Sequence, residues 1–287
     1  MDPSPKDIAD LFSVVLNQDQ TVEQPVRKTK GDTAEESVEL GAQSLSEGDY
    51  ERAIRHFKRA LEQREPGDVQ GRIDLGSAYE AAEMAPEAFR QYELALRVRS
   101  DAVEPRVGLS QIYKRNARYR DSLKQLDAAL AVAPENAFYR FKKAEIQREV
   151  GDLEAALDSA LLAAVAAPED PFYRYWIGDL LIQMRRFQAA LEALKVALDL
   201  SPGDDYLYFR AAAAFWGAGR PQEAVKSIRL ASDLDPDKNL YHGVLEVLLR
   251  NMGQSEEAAL EAASAAKMDD YDREALRRFA AELSLPC

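Results

Sequence analysis

Between Pro171 and Ser201 the apolar positions fall into two stripes separated by a polar break. The first runs through Tyr173, Trp176, Ile177, Leu180, Leu181 and Met184, and the second through Ala190, Leu191, Leu194, Ala197 and Leu198. Steps of three and four lay each set along one face of a helix. Arg185 and Arg186 separate the stripes. Pro202 ends the second, because proline has no N–H to donate and disfavours helix in the residue before it. The segment therefore predicts a helical hairpin, and nowhere does the chain show the sustained two-residue alternation of a half-buried strand.

The hairpin recurs. Pro134, Pro168, Pro202 and Pro236 are each 34 residues apart, and Ala95, Ala129, Ala163, Ala197, Ala231 and Ala265 keep the same interval. Gly48, Gly151, Gly219 and Gly253 fall in the break between the two helices, where a backbone without Cβ closes a helix in the left-handed conformation. Ala156, Ala190, Ala224 and Ala258 stand early in the second helix, where a small side chain lets two helices approach closely. A period of this length marks one small unit, copied and stacked, each copy burying its apolar face against its neighbours.

The unit Leu75-Gly76-x-x-Tyr79, followed by Ala88-x-x-x-Tyr92 and Ala95-Leu96, resembles a tetratricopeptide repeat. Leu40-Gly41 with Ala53, Phe57, Ala60-Leu61 and Pro66 gives the same pattern, as does Ile177-Gly178 with Ala190, Leu194, Ala197-Leu198 and Pro202. The resemblance covers roughly residues 34–284. It implies an all-α, right-handed α-solenoid of about seven helix-turn-helix repeats with a C-terminal capping helix. Seven repeats are expected over 34–269, starting near 34, 69, 103, 137, 171, 205 and 239. Residues 270–287 are expected to form the capping helix and tail, with the helix amphipathic from Arg273 to Leu283.

In the family the first helices line a concave groove. By phase, one groove column holds Gln70, Glu104, Phe138, Phe172, Tyr206 and Leu240, and the next holds Ile73, Val107, Phe141, Tyr175, Phe209 and Gly243. Further along come Lys114, Arg148, Ile182, Trp216 and Arg250. Candidate partner-binding residues are therefore Phe138, Phe141, Arg148, Phe172, Tyr175, Tyr206, Phe209 and Trp216, since aromatics and arginine dominate binding energy. The same columns are open to a second reading as plain packing. A further ladder, Arg72, Arg106, Arg140 and Arg174, stands where the family usually has a large aromatic. Either the arginine stems pack while their heads reach water or a carboxylate, or the ladder is a rail for an acidic peptide. The Lys and Asn clamp with which some family members grip a chaperone's C-terminal carboxylate is absent, its early positions being Val38, Ala42, Ile73 and Ser77.

Residues 1–17 lie before the repeats and predict an amphipathic helix with a stripe of Ile8, Leu11, Phe12, Val15 and Leu16. Residues 18–33 read as a flexible polar linker. Such an arm has three uses: covering the first repeat, lying in the chain's own groove, or docking on another protein.

Thirteen net negative charges argue against electrostatic binding of nucleic acid. The start lacks the basic segment and apolar run of a signal peptide, the longest apolar stretches are too short to span a bilayer, and Cys287 is the sole cysteine. A cytoplasmic location is expected. His56 and His242 are too far apart in the array to share a site, and Asp233-Leu-Asp235-Pro-Asp237 lacks the glycine and glutamate of a calcium loop. No catalytic set, metal site or cofactor is expected. The expected function is a non-catalytic scaffold that binds a partner peptide or helix in its groove. The alternative is an accessory subunit of an enzyme or assembly machinery, docked through the N-terminal arm.

Overall fold

Small residues set how closely the paired helices approach. Ala53, Ala88, Ala156, Ala190 and Ala224 at one register position are completely buried, and so are Ala95, Ala129, Ala163, Ala197 and Ala231 seven residues later in each unit. The third unit has Ser122 at the first of these positions, and its hydroxyl donates to the Ser110 carbonyl at 2.6 Å, so the polar atom is satisfied inside the hairpin.

The structure, a computed structural model, describes residues 33–65 and 67–286. Among the described residues there are fifteen α-helices and no strand. The chain divides into two units at Pro134/Glu135. In the first, α1 (Ala34–Ser46) pairs with α2 (Tyr50–Gln63), α3 (Val69–Ala81) with α4 (Ala85–Val98), and α5 (Glu104–Arg115) with α6 (Tyr119–Val132). In the second, α7 (Ala137–Glu149) pairs with α8 (Leu153–Ala166), α9 (Pro171–Gln183) with α10 (Phe187–Leu200), α11 (Asp205–Gly217) with α12 (Pro221–Leu234), and α13 (Asn239–Asn251) with α14 (Ser255–Ala265). A last helix, α15 (Asp270–Glu282), packs on α13.

Local chemistry starts the helices where they begin. Thr33 and Glu36 form a reciprocal capping box on α1, with the Glu36 amide donating to Thr33 Oγ1 and the Thr33 amide donating to Glu36 Oε2. The carboxylates of Asp49, Asp152, Asp170, Asp204 and Asp269, and the Asn136 side-chain oxygen, accept from first-turn amides of their helices. Each hairpin turns through a residue of positive φ at one register position: Gly48, Glu83, Ala117, Gly151, Arg185, Gly219 and Gly253. The backbone geometry is thus shared by all seven turns, although only four of them have the glycine that adopts it without strain.

The first unit buries Phe57, Leu75, Tyr79, Tyr92, Leu109 and Ile112 in one core, and the second buries Trp176, Leu180, Leu194, Ile228, Tyr241, Leu248 and Phe279 in another. Among the described residues no helix is long and apolar enough to cross a membrane, and no three His, Cys, Asp or Glu side chains are grouped to hold a metal ion.

Candidate functional site

The first helices of the second unit carry a continuous run of aromatic rings. Phe141 on α7 meets Phe172 on α9 edge to face at 4.9 Å between centroids, and Trp176 at 5.0 Å. Phe172 lies 6.4 Å from Tyr175, Tyr175 lies 5.6 Å from Tyr206 on α11, and Tyr206 lies 5.4 Å from Phe209. The rule is simple: the second-column ring of one repeat stacks on the first-column ring of the next, as the 34-residue phase places them. Phe141 is buried by this stacking and Phe209 with the Tyr241 and Phe279 rings beside it, Tyr175 is half-buried, and Phe138, Phe172 and Tyr206 stay exposed. The Lys142 ammonium sits 5.3 Å from the Phe138 ring and 5.6 Å from Phe141, while Lys238 sits 5.8 Å from Tyr206, within cation–π range.

A chain of charges runs beside the rings. The Arg148 guanidinium covers Trp176 at 4.6 Å and reaches Asp179 at 3.1 Å. The other oxygen of Asp179 lies 2.6 Å from Arg210, and Arg210 donates two parallel hydrogen bonds to Glu282, at 3.0 and 3.1 Å. Burial alone would push Arg210 down, but the carboxylates of Asp179 and Glu282 outweigh it and hold the guanidinium above its ordinary value. Burial pushes the Tyr175 phenol far up, and the neighbouring Asp179 carboxylate adds to it, so this hydroxyl stays neutral.

Glu282 belongs to α15, which does more than follow the last hairpin. A continued stack would place the next helix beside α13 and α14, one rung beyond the reach of α11. Instead, the Phe279 ring packs 5.2 Å from Phe209, and Glu282 grips Arg210. Gly243 gives α15 room. A Cβ at Gly243 would stand 2.7 Å from Met268 Sδ and 3.2 Å from a Leu276 methyl. The helix therefore lies across the groove columns of the sixth and seventh repeats. Between it and the first helices remains a cavity of about 670 Å³, lined among others by Asp179, Tyr206, Phe209, Lys238 and Tyr271.

A family model of the tetratricopeptide repeat matches residues 45–104 and 107–171, and a second matches residues 181–248. Together they cover well over half of the chain. The chain belongs to the tetratricopeptide repeat family. No curated protein matches it. Among solved structures, a tetratricopeptide repeat protein from Parabacteroides merdae is similar at a TM-score of 0.61 and 16% identity, over 88% of this chain and 100% of that one. Pseudomonas aeruginosa PilF is similar at 0.60 and 16% identity, over 71% and 92% of the two chains. YrrB, described as a tetratricopeptide repeat protein with an unusual peptide-binding site, is similar at 0.54 and 19% identity, over 63% and 93%. At these identities the likeness is one of fold.

Within the tetratricopeptide repeats, the first two members of the arginine ladder turn toward the paired second helices. Arg72 donates to Gln91 Oε1 and Arg106 to Gln125 Oε1, both at 3.3 Å and nineteen residues along, and Arg140 lies 3.8 Å from Glu135. The Nε atoms of Arg106 and Arg174 are buried without a hydrogen-bond partner. All four side chains are half-buried, with stems that fill the place of the family's aromatic. Trp216 is half-buried and stands apart from the run of rings. The arm residues Ile8, Leu11, Phe12, Val15 and Leu16 lie outside the described residues. Sequence phase missed Arg210, Glu282 and Phe279. Its available signal was Gly243, the one glycine in a column otherwise filled by Ile73, Val107, Phe141, Tyr175 and Phe209.

Proposed function

We propose that the chain is a non-catalytic protein-binding scaffold that holds a peptide or helix of a partner on the first helices of its fourth to sixth repeats. The observation that carries this reading is the exposed row of Phe138, Phe172 and Tyr206, one ring per repeat, at 48%, 42% and 40% exposure. Phe172 and Tyr206 each rest on a second-column ring that fixes them, so these two offer contact area at little cost in side-chain entropy. The peptide-binding site of YrrB, a neighbour of the same fold, supports the same kind of use here.

The test is affinity capture with mass spectrometry, comparing wild type with Phe172→Ala/Tyr206→Ala. Each ring is expected to contribute about tenfold in affinity, so the double variant loses its specific partner. Capture unchanged by both substitutions overturns the reading. If capture instead disappears when residues 1–20 are deleted, binding runs through the amphipathic arm, and the chain is an accessory subunit of a larger assembly.

A further inference from the structure

The three residues by which α15 holds the first-helix face are spaced as a helical ligand would space them. Leu276, Phe279 and Glu282 are each three apart on one face. They meet Gly243, Phe209 and Arg210 respectively, so two successive groove-column positions and the adjoining guanidinium all contact one helix. That is how a groove reads an amphipathic helix: apolar anchors set the register and a charged pair fixes the direction. The carboxylate is not an incidental surface charge, because Arg210 is itself 7% exposed and forks both of its terminal nitrogens onto it.

The rest of the helix is held mainly near its C-terminal end. Phe279, Ala280 and Leu283 are buried and Ala275 and Leu276 partly so, whereas Arg273 and Arg277 are exposed and Tyr271 and Arg278 are exposed at the cavity. An open cavity of about 670 Å³ runs beside it. An element with few buried contacts opens well before the core it rests on.

Resting on the groove reading above, we propose that α15 is a tethered pseudo-ligand, and that the partner is an acidic amphipathic helix which displaces it. The partner's signature is two apolar residues three apart followed, three further on, by a carboxylate that takes the place of Glu282 on Arg210. Its apolar stripe then continues onto Tyr206 and Phe172, which α15 leaves open. The chain is thereby self-limited: only a helix that out-competes its own α15 is held along the full face.

The test uses the full chain and a labelled peptide of residues 268–286. In Phe279→Ser/Glu282→Lys, α15 no longer competes, and the peptide is expected to bind about tenfold tighter or more than to wild type. A peptide carrying the Glu282→Gln change loses that gain. Hydrogen exchange on the unmodified protein gives a readout that needs no variant to fold: amides of α15 exchange at least about tenfold faster than those of α13. A released variant that takes the peptide no better than wild type, or α15 exchanging together with α13, overturns the proposal and makes α15 a fixed part of the fold. That result leaves the groove reading standing if Phe172→Ala/Tyr206→Ala still abolishes partner capture. Capture indifferent to those rings removes the groove reading, whatever the peptide does.

Discussion

Arg210 on α11 and Glu282 on α15 are 72 positions apart in the chain and share two parallel hydrogen bonds of 3.0 and 3.1 Å. Arg210 also holds Asp179, so it is the common partner of two carboxylates. Removing either partner of such a pair leaves charge behind in a poorly solvated place. Arg210→Ala leaves Glu282 without its partner and Asp179 with Arg148 alone, and is expected to cost about 3–5 kcal/mol of the second unit's stability. Glu282→Ala leaves the guanidinium with Asp179 and is expected to cost less, about 1–3 kcal/mol. Urea unfolding of both variants checks the order, and equal losses would contradict it.

Gly243 is the contact that a larger residue disrupts most directly. Gly243→Val puts carbon where Met268 Sδ and Leu276 now lie, and is expected to destabilise by about 1–3 kcal/mol. The loss is local. Limited proteolysis should cut first around α15, while α13 keeps its protection.

Rings of the two columns differ in what they hold up. Phe209 is 4% exposed, so Phe209→Ala opens a cavity and costs about 3–5 kcal/mol. Phe138 is largely in solvent, and Phe138→Ala stays within about 1 kcal/mol of wild type. Thermal unfolding separates the two. Binding studies should therefore use first-column rings, since a second-column substitution would confuse lost recognition with lost fold.

The turn at Ala117 holds a Cβ at φ 55°, in the left-handed region. Ala117→Gly relieves that strain and is expected to stabilise the first unit by roughly 1 kcal/mol, read as a higher urea midpoint. The same change at an exposed helical alanine would act in the opposite direction.

Two aspartates at the start of α3 respond oppositely to acid. Burial pushes Asp68 up, but the Arg64 hydrogen bond, the Gly71 and Gln70 amides and the Arg64 charge together outweigh it, so its carboxyl sits below the ordinary value. That contribution is present above the unfolded-state pKa and is lost as pH falls through the depressed one. Burial raises Asp74, against a weaker hydrogen bond from Gln70. Its contribution is present below the unfolded-state pKa and is lost as pH rises through the raised one. At neutral pH, Asp74→Asn is expected to stabilise by up to about 1 kcal/mol and Asp68→Asn to destabilise by a similar amount, with both differences shrinking in strong acid. Urea midpoints across the acid range test the signs.

The hairpins were legible in the chain because periodicity overdetermines them: the prolines, the buried alanines and the apolar stripes all report one phase. That phase also put Phe141, Tyr175 and Phe209 in one column and Phe138, Phe172 and Tyr206 in another. It did not show their depth, which depends on one repeat's ring covering the next. Nor did it show the turns at Glu83, Ala117 and Arg185, where packing on both sides imposes a conformation that their residue types do not favour. The destination of α15 was the least legible, because its amphipathic stripe fits either the open end of a stack or a groove. Gly243, the Phe209–Phe279 contact and the Arg210–Glu282 pair distinguish them, and all act between residues far apart in sequence.

The seven turns are alike in shape and unlike in composition. In the first unit two of three left-handed positions carry a side chain, Glu83 and Ala117, whereas in the second only Arg185 of four does. Ser284, the other side chain held at positive φ, follows α15 and lies outside the hairpins, so among the hairpin turns the torsional burden is heavier in the first unit. Warmed slowly, the hairpins of the first unit should loosen before those of the second.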